Sequence, residues 1–250
     1  MTVERTVGGG LWCAVVLLAV IGVTAAVNRA AFPADAVTRV DPLREQLLKA
    51  LHRDDPFALE RAAELDRFDG RYAAHPVLIL LHVIPGGSFL ALAMLQFSSR
   101  LRRRHIQIHR WSGRLLILVA FVATLPALYF GLLMPYGGPG EAVAIALFGG
   151  LFPAALVTAV IAIRRGQVDR HREWMIRAYA LALGISSVRL VGAIFDIALT
   201  PAGFRQPELF VFSIWTGFAV TLAAAELWIR HTRIAPREHA AASVPEHPAA

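Results

Sequence analysis

The sequence has one cysteine, Cys13, and one lysine, Lys49. A single cysteine excludes an intrachain disulfide and any cysteine-only metal or iron–sulfur centre. Cys13 lies inside an apolar run and reads as a small helix residue rather than a reactive thiol. Charge is scarce too: 17% of residues are charged and 56% are hydrophobic, whereas soluble domains carry about 25% charged residues. The formal charge is +7, but no zinc spacing, basic helix or aromatic RNA-binding box accompanies it, so nucleic acid is not an expected partner. The arginines sit at the ends of apolar blocks instead. This is how a membrane protein holds its cytoplasmic loops in place.

What the chain does have is long apolar runs. Six stretches, at approximately 8–27, 76–98, 113–134, 142–163, 174–198 and 208–229, meet the length of about 20 residues that a hydrocarbon core demands. They predict an all-α polytopic transmembrane bundle of six spans in the lipid bilayer. The first run has a second reading as a signal peptide, because Arg5 precedes it and Thr24-Ala25-Ala26 resembles a small-residue cleavage site. The uncharged stretch from Val7 to Val27 is long enough to span, which favours a retained helix.

Orientation follows from the short connections. Arg100, Arg102, Arg103, Arg104 and Arg110 fall between the second and third spans, and Arg164, Arg165, Arg170 and Arg172 between the fourth and fifth. Arg230 and Arg233 follow the sixth, while the 135–141 connection has no basic residue. Basic residues stay cytoplasmic, which predicts an inner (plasma) membrane protein with both termini inside. Residues 1–234 then form a single transmembrane domain. Within it, 28–75 is an extracytoplasmic cap of two short amphipathic helices, started by Asp41-Pro42 and Asp55-Pro56. The cap is either a surface cover or a lid over a cavity. Residues 235–250, rich in Ala, Pro, His and Glu, cannot form a core and are expected to be disordered.

Ionisable residues inside spans are costly and mark function. On the outer side, His75 and His82 are seven apart on the second span and Arg189 and Asp196 seven apart on the fifth. The two helices run in opposite directions, so the pairs match in depth. One reading is a polar cavity in which Arg189 holds an anionic group and His82 transfers a proton, with Asp196 as the third catalytic residue. The other is a buried His82–Asp196–Arg189 network that ties two helices together. Pro85-Gly86-Gly87 should loosen the second span beside it.

On the inner side, His109-Arg110-Trp111 opens the third span and His171-Arg172-Glu173-Trp174 the fifth. These spans run in the same direction, which sets His109 and His171 at one depth, with Arg114 and Arg177 nearby. The pair could ligate a metal or a haem, with the two arginines as further cofactor contacts, or form a phosphate-binding rim. The bland alternative is juxtamembrane polarity anchored by Trp111, Trp174 and Trp228. Glu226 and Arg230, four apart, are expected to pair on one helix face.

Taken in order, His75-Pro76 through His82, Gln96-Phe97, His109-Arg110-Trp111-Ser112-Gly113-Arg114, His171-Arg172-Glu173-Trp174-Met175-Ile176-Arg177 and Arg189 resemble the predicted membrane family known as the domain of unknown function numbered 2306. The resemblance covers roughly residues 75–195 and implies membrane placement without an activity. A weaker resemblance is to transmembrane b-type cytochromes, whose histidine ligands lie on paired helices near both faces. It implies at most one haem b, between His109 and His171, because the fourth span has no histidine to partner His82. Three functions follow as expectations. The first is a membrane redox or haem protein. The second is an enzyme or transporter for a small or lipidic anion at the outer site. The third is an accessory subunit with a membrane-protein partner.

Overall fold

The computed structural model describes residues 2–31, 70, 72 and 74–242. Among these residues every regular element is helical: α1 (Thr2–Ala31), α2 (Pro76–Gln96), the short α3 (Ser99–Arg104), α4 (Ile106–Leu133), α5 (Pro139–Arg164), α6 (Val168–Leu199) and α7 (Gln206–Ala242). Six of them are long and apolar enough to cross a membrane. The bulk of the expected cap, residues 32–69, lies outside the described residues, as does 243–250. The last helix continues to Ala242, into the stretch expected to be disordered.

Several boundaries differ from the hydropathy reading, and two of them bear on the site. The third and fifth spans start at Ile106 and Val168, about two turns before their apolar runs. Helix formation needs only satisfied backbone hydrogen bonds and tolerant side chains, so polar residues extend each helix beyond the hydrocarbon. The consequence is that His109, Trp111, His171 and Trp174 are all helical.

Burial shows which solvent this fold uses. Leu125 and Leu133 are each 69% exposed, while Ala144, Ala159 and Ala178 are fully buried, with Ser186 and Ser213 also inside. A protein folded in water would bury the leucines. A helix bundle in lipid gains nothing by hiding them and places small residues at its contacts so that backbones approach closely. The chain is a multi-pass membrane protein that sits in a lipid bilayer.

Successive spans alternate in direction. In the middle of the bundle, α2, α4, α5 and α6 form a ring, with thin contact between α2 and α6 where α1 packs against both. The Tyr179 hydroxyl also bridges the α2–α6 gap by donating to the Leu90 carbonyl at 2.9 Å. α4 and α6 lie across the ring from each other, and α7 packs on the outside against α6. The expected loosening at Pro85 is absent as a break, since α2 is continuous through it. Its glycines instead permit close approach: a Cβ on Gly87 would lie 2.8 Å from the Ala26 methyl.

Candidate functional site

Two polar layers are present, at opposite ends of the bundle. The first is at the end that carries α3 and the connection between α5 and α6, where the arginines cluster. Here the second span ends on Gln96, whose side-chain amide donates to Ser112 Oγ at 2.8 Å. Ser112 in turn donates to the Ile108 carbonyl at 2.6 Å, and Arg102 donates to the Gln96 carbonyl at 3.0 Å. These bonds fix the start of α4, and with it His109.

His171 is held differently. Its Nδ1 lies 3.0 Å from the Ala159 carbonyl of α5. A carbonyl only accepts, so Nδ1 carries a proton and Nε2 points elsewhere. His109 has a buried Nδ1 with no hydrogen-bond partner, an uncommon state for a buried polar atom. The two histidines are electrostatic neighbours on helices that face each other across the ring. Among the described residues no group of three or more His, Cys, Asp or Glu side chains is placed to hold a metal ion.

The repeated motif is repeated in structure as well. Arg114 lies over the Trp111 ring with 5.0 Å to its centroid, and Arg177 over Trp174 at 4.8 Å. The two arginines then part company. Arg114 is exposed, whereas Arg177 forms a bidentate ion pair with Glu226 at 2.5 and 3.0 Å. Glu226 was expected to pair with Arg230. The cross-helix guanidinium prevails because its fork meets both carboxylate oxygens at once. A second clamp, between Glu173 on α6 and Arg233 on α7, is also bidentate. Sequence reasoning missed it, since sixty positions separate the partners and nothing local signals the pairing.

The second layer is at the other end. His82 Nδ1 is 2.8 Å from the Ala123 carbonyl of α4, so this nitrogen also donates to a backbone carbonyl. His75, two turns away on the same face, meets the rings of Tyr129 and Phe130 at 5.8 and 6.1 Å. Arg189 is an electrostatic neighbour of His82, as its depth predicts. The expected three-residue network is not assembled from the described contacts. Asp196, two turns further along α6 than Arg189, instead accepts at Oδ1 from Thr200 at 2.9 Å and Gln206 at 2.6 Å. A residue that sequence reasoning passed over, Arg29 at the end of α1, is the cation next to Arg189.

A groove of about 210 Å³ between α2 and α4, bordered by Leu92, Leu95, Ile108 and Leu115, has no titratable side chain in its wall and touches the first layer only through Gln96 and Ser112.

Comparison with known proteins gives one match. No curated protein and no solved structure matches the chain. A family model described as "Predicted membrane protein (DUF2306)" matches residues 79–229. The matched region runs from the second span through the sixth and contains His82, both His-Arg motifs, the two ion-pair clamps apart from Arg233, and Arg189. The chain therefore belongs to this family of predicted membrane proteins.

Proposed function

We propose that this is a membrane haem protein with one b-type haem bound between α4 and α6, ligated by His109 and His171. The observation that carries the reading is the buried, unpartnered ring nitrogen of His109, lying across the ring from a histidine whose Nδ1 is already anchored to a backbone carbonyl. Anchoring of that kind orients a ligating imidazole and leaves Nε2 to the iron. Either nitrogen of a neutral imidazole can serve as a metal ligand. Two histidines fall short of the four ligands a structural zinc ion takes, but they suffice for an iron whose other four positions are filled by porphyrin. This favours haem over a bare metal ion. Arg114, exposed and paired only with its own tryptophan in the described contacts, would meet a propionate. Arg177 is committed to Glu226 and would act by holding α6 in place. When bound, the haem supplies one-electron exchange, and the protein's part is to position the ligands and exclude water.

The basic end of the bundle is assigned to the cytoplasm on the strength of its arginines. Alkaline phosphatase fused after Gly137 should then be active and after Gly166 inactive, and the reverse pattern would invert the topology. The haem reading is tested by the reduced-minus-oxidised absorption spectrum of protein purified from haem-replete cells. The expected spectrum is that of a six-coordinate b-type haem, and a featureless one would overturn the proposal.

A further inference from the structure

The groove between α2 and α4 meets α3 at the basic end of the bundle. Its walls are faces that the two helices turn outward: Leu95, Ile108 and Leu115 are 58%, 56% and 61% exposed. Ser88 and Ser112 also border it, but each hydroxyl donates to a carbonyl of its own helix, Ile84 at 2.8 Å and Ile108 at 2.6 Å. The wall therefore offers an occupant chiefly apolar contact. From Ser88 to Gln96 the groove follows α2 for about 12 Å. One leaflet of a hydrocarbon core about 30 Å thick is about 15 Å deep, so the groove has the depth of an acyl chain lying along the helices.

Leu101 of α3 borders the groove at its basic end. In the run Ser-Arg-Leu-Arg-Arg-Arg of this helix, Arg104 is three positions after Leu101, and Arg100 is one turn before Arg104 on the same face. Both arginines are exposed, and neither has a hydrogen-bond or carboxylate partner among the described residues. Arg102, by contrast, is committed to the Gln96 carbonyl. The shortage of negative charge is a property of the sequence. Six arginines lie between Arg100 and Arg114, and no Asp or Glu occurs from Gly70 to Gly140. The other basic connection differs. Asp169 and Glu173 stand among its arginines, Arg170 bonds Gln167 and Arg172 bonds Thr232. The topological preference for arginine at one membrane face accounts for both clusters. It does not account for the lack of acid around only one of them, because acidic residues weigh little in topology. A cationic end without its own counter-charge, joined to an apolar slot one leaflet deep, matches a molecule with an anionic head and a hydrocarbon tail.

We propose that the α2–α4 groove and α3 bind one anionic phospholipid, with an acyl chain in the groove and the phosphate at Arg100 and Arg104. The guanidinium forks match phosphate oxygens, and Leu101 covers the junction of head and tail.

Native mass spectrometry of the full chain in detergent tests this, with phosphatidylglycerol and phosphatidylcholine of identical chains titrated separately. The expected result is one phosphatidylglycerol retained per chain at concentrations where phosphatidylcholine is not. Replacing both Arg100→Gln and Arg104→Gln should weaken phosphatidylglycerol binding roughly thirtyfold. Replacing both Arg164→Gln and Arg165→Gln removes the same charge from the same face and should leave binding as in the natural chain. Leu92→Trp fills the groove with every arginine in place and should release the lipid. The proposal is overturned if the natural chain takes both lipids alike, or if the Arg100 and Arg104 pair of changes leaves binding intact. It is equally overturned if the Arg164 and Arg165 pair costs as much, since the attraction is then diffuse. Should the Arg100 and Arg104 variant not purify, Leu92→Trp decides alone, and undiminished binding in it overturns the proposal. A dimer that is lost in Leu92→Trp would give the groove to a second copy of this chain and overturn it too. None of these residues holds the haem and the readout is lipid mass, so the two proposals stand or fall separately.

Discussion

Replacing Gly217 with leucine is expected to prevent the chain from reaching its folded state. A Cβ at this position would lie 2.8 Å from the Val188 backbone nitrogen and 3.0 Å from its Cα. Both atoms belong to a helix backbone, which cannot rotate aside as a side chain does. The contact joins α6 to α7, the most extensive interface in the bundle. The same interface contains the Arg177–Glu226 and Glu173–Arg233 pairs and the close approach of Gly184 to the Phe218 ring. Forcing the helices apart therefore strains the clamps as well as the packing, at a cost on the order of 3 kcal/mol. The measurement is the yield of monodisperse protein in detergent. Gly150→Leu is the control, because a Cβ there meets nothing within 4 Å, and it should purify normally. Equal yields of the two variants would contradict the packing described.

The second large effect is expected from His171→Ala. If the iron is held by His109 and His171, losing either ligand should cut the bound haem more than tenfold, since metal affinity falls by 10–100-fold even when only a supporting partner is removed. His109→Ala should behave alike. His105→Ala and His82→Ala should keep their haem, because His105 is exposed and His82 is in the other layer. Haem absorbance per unit protein gives the answer. Retention in both ligand variants, or loss in His82→Ala alone, would move the site away from the basic end.

The parts of this structure that could be read from the sequence are those that depend on one chain segment at a time. The six spans stand out because lipid demands an unbroken apolar run, and the matched depths of His82 with Arg189 and of His109 with His171 follow from helix rise and alternating direction. What depends on two segments was harder to see. The neighbour of Glu226 in sequence is Arg230, but its bidentate partner is Arg177 on another helix. Asp196 shares a face with Arg189 by spacing, yet Thr200 and Gln206 at the helix end engage it. Nothing local distinguishes Arg29 at the end of the first span, yet it is an electrostatic neighbour of Arg189. Even the span boundaries shifted, because a helix may outlast the hydrocarbon that makes it visible.

The central claim is a single haem held by one pair of histidines, and the most direct test is the ratio of haem to polypeptide. Both are quantified on the same sample, purified from haem-replete cells and freed of loosely associated pigment. The account predicts one haem per chain. A ratio of zero would contradict it. So would a ratio of two, because α5 has no histidine to partner His82 across the ring.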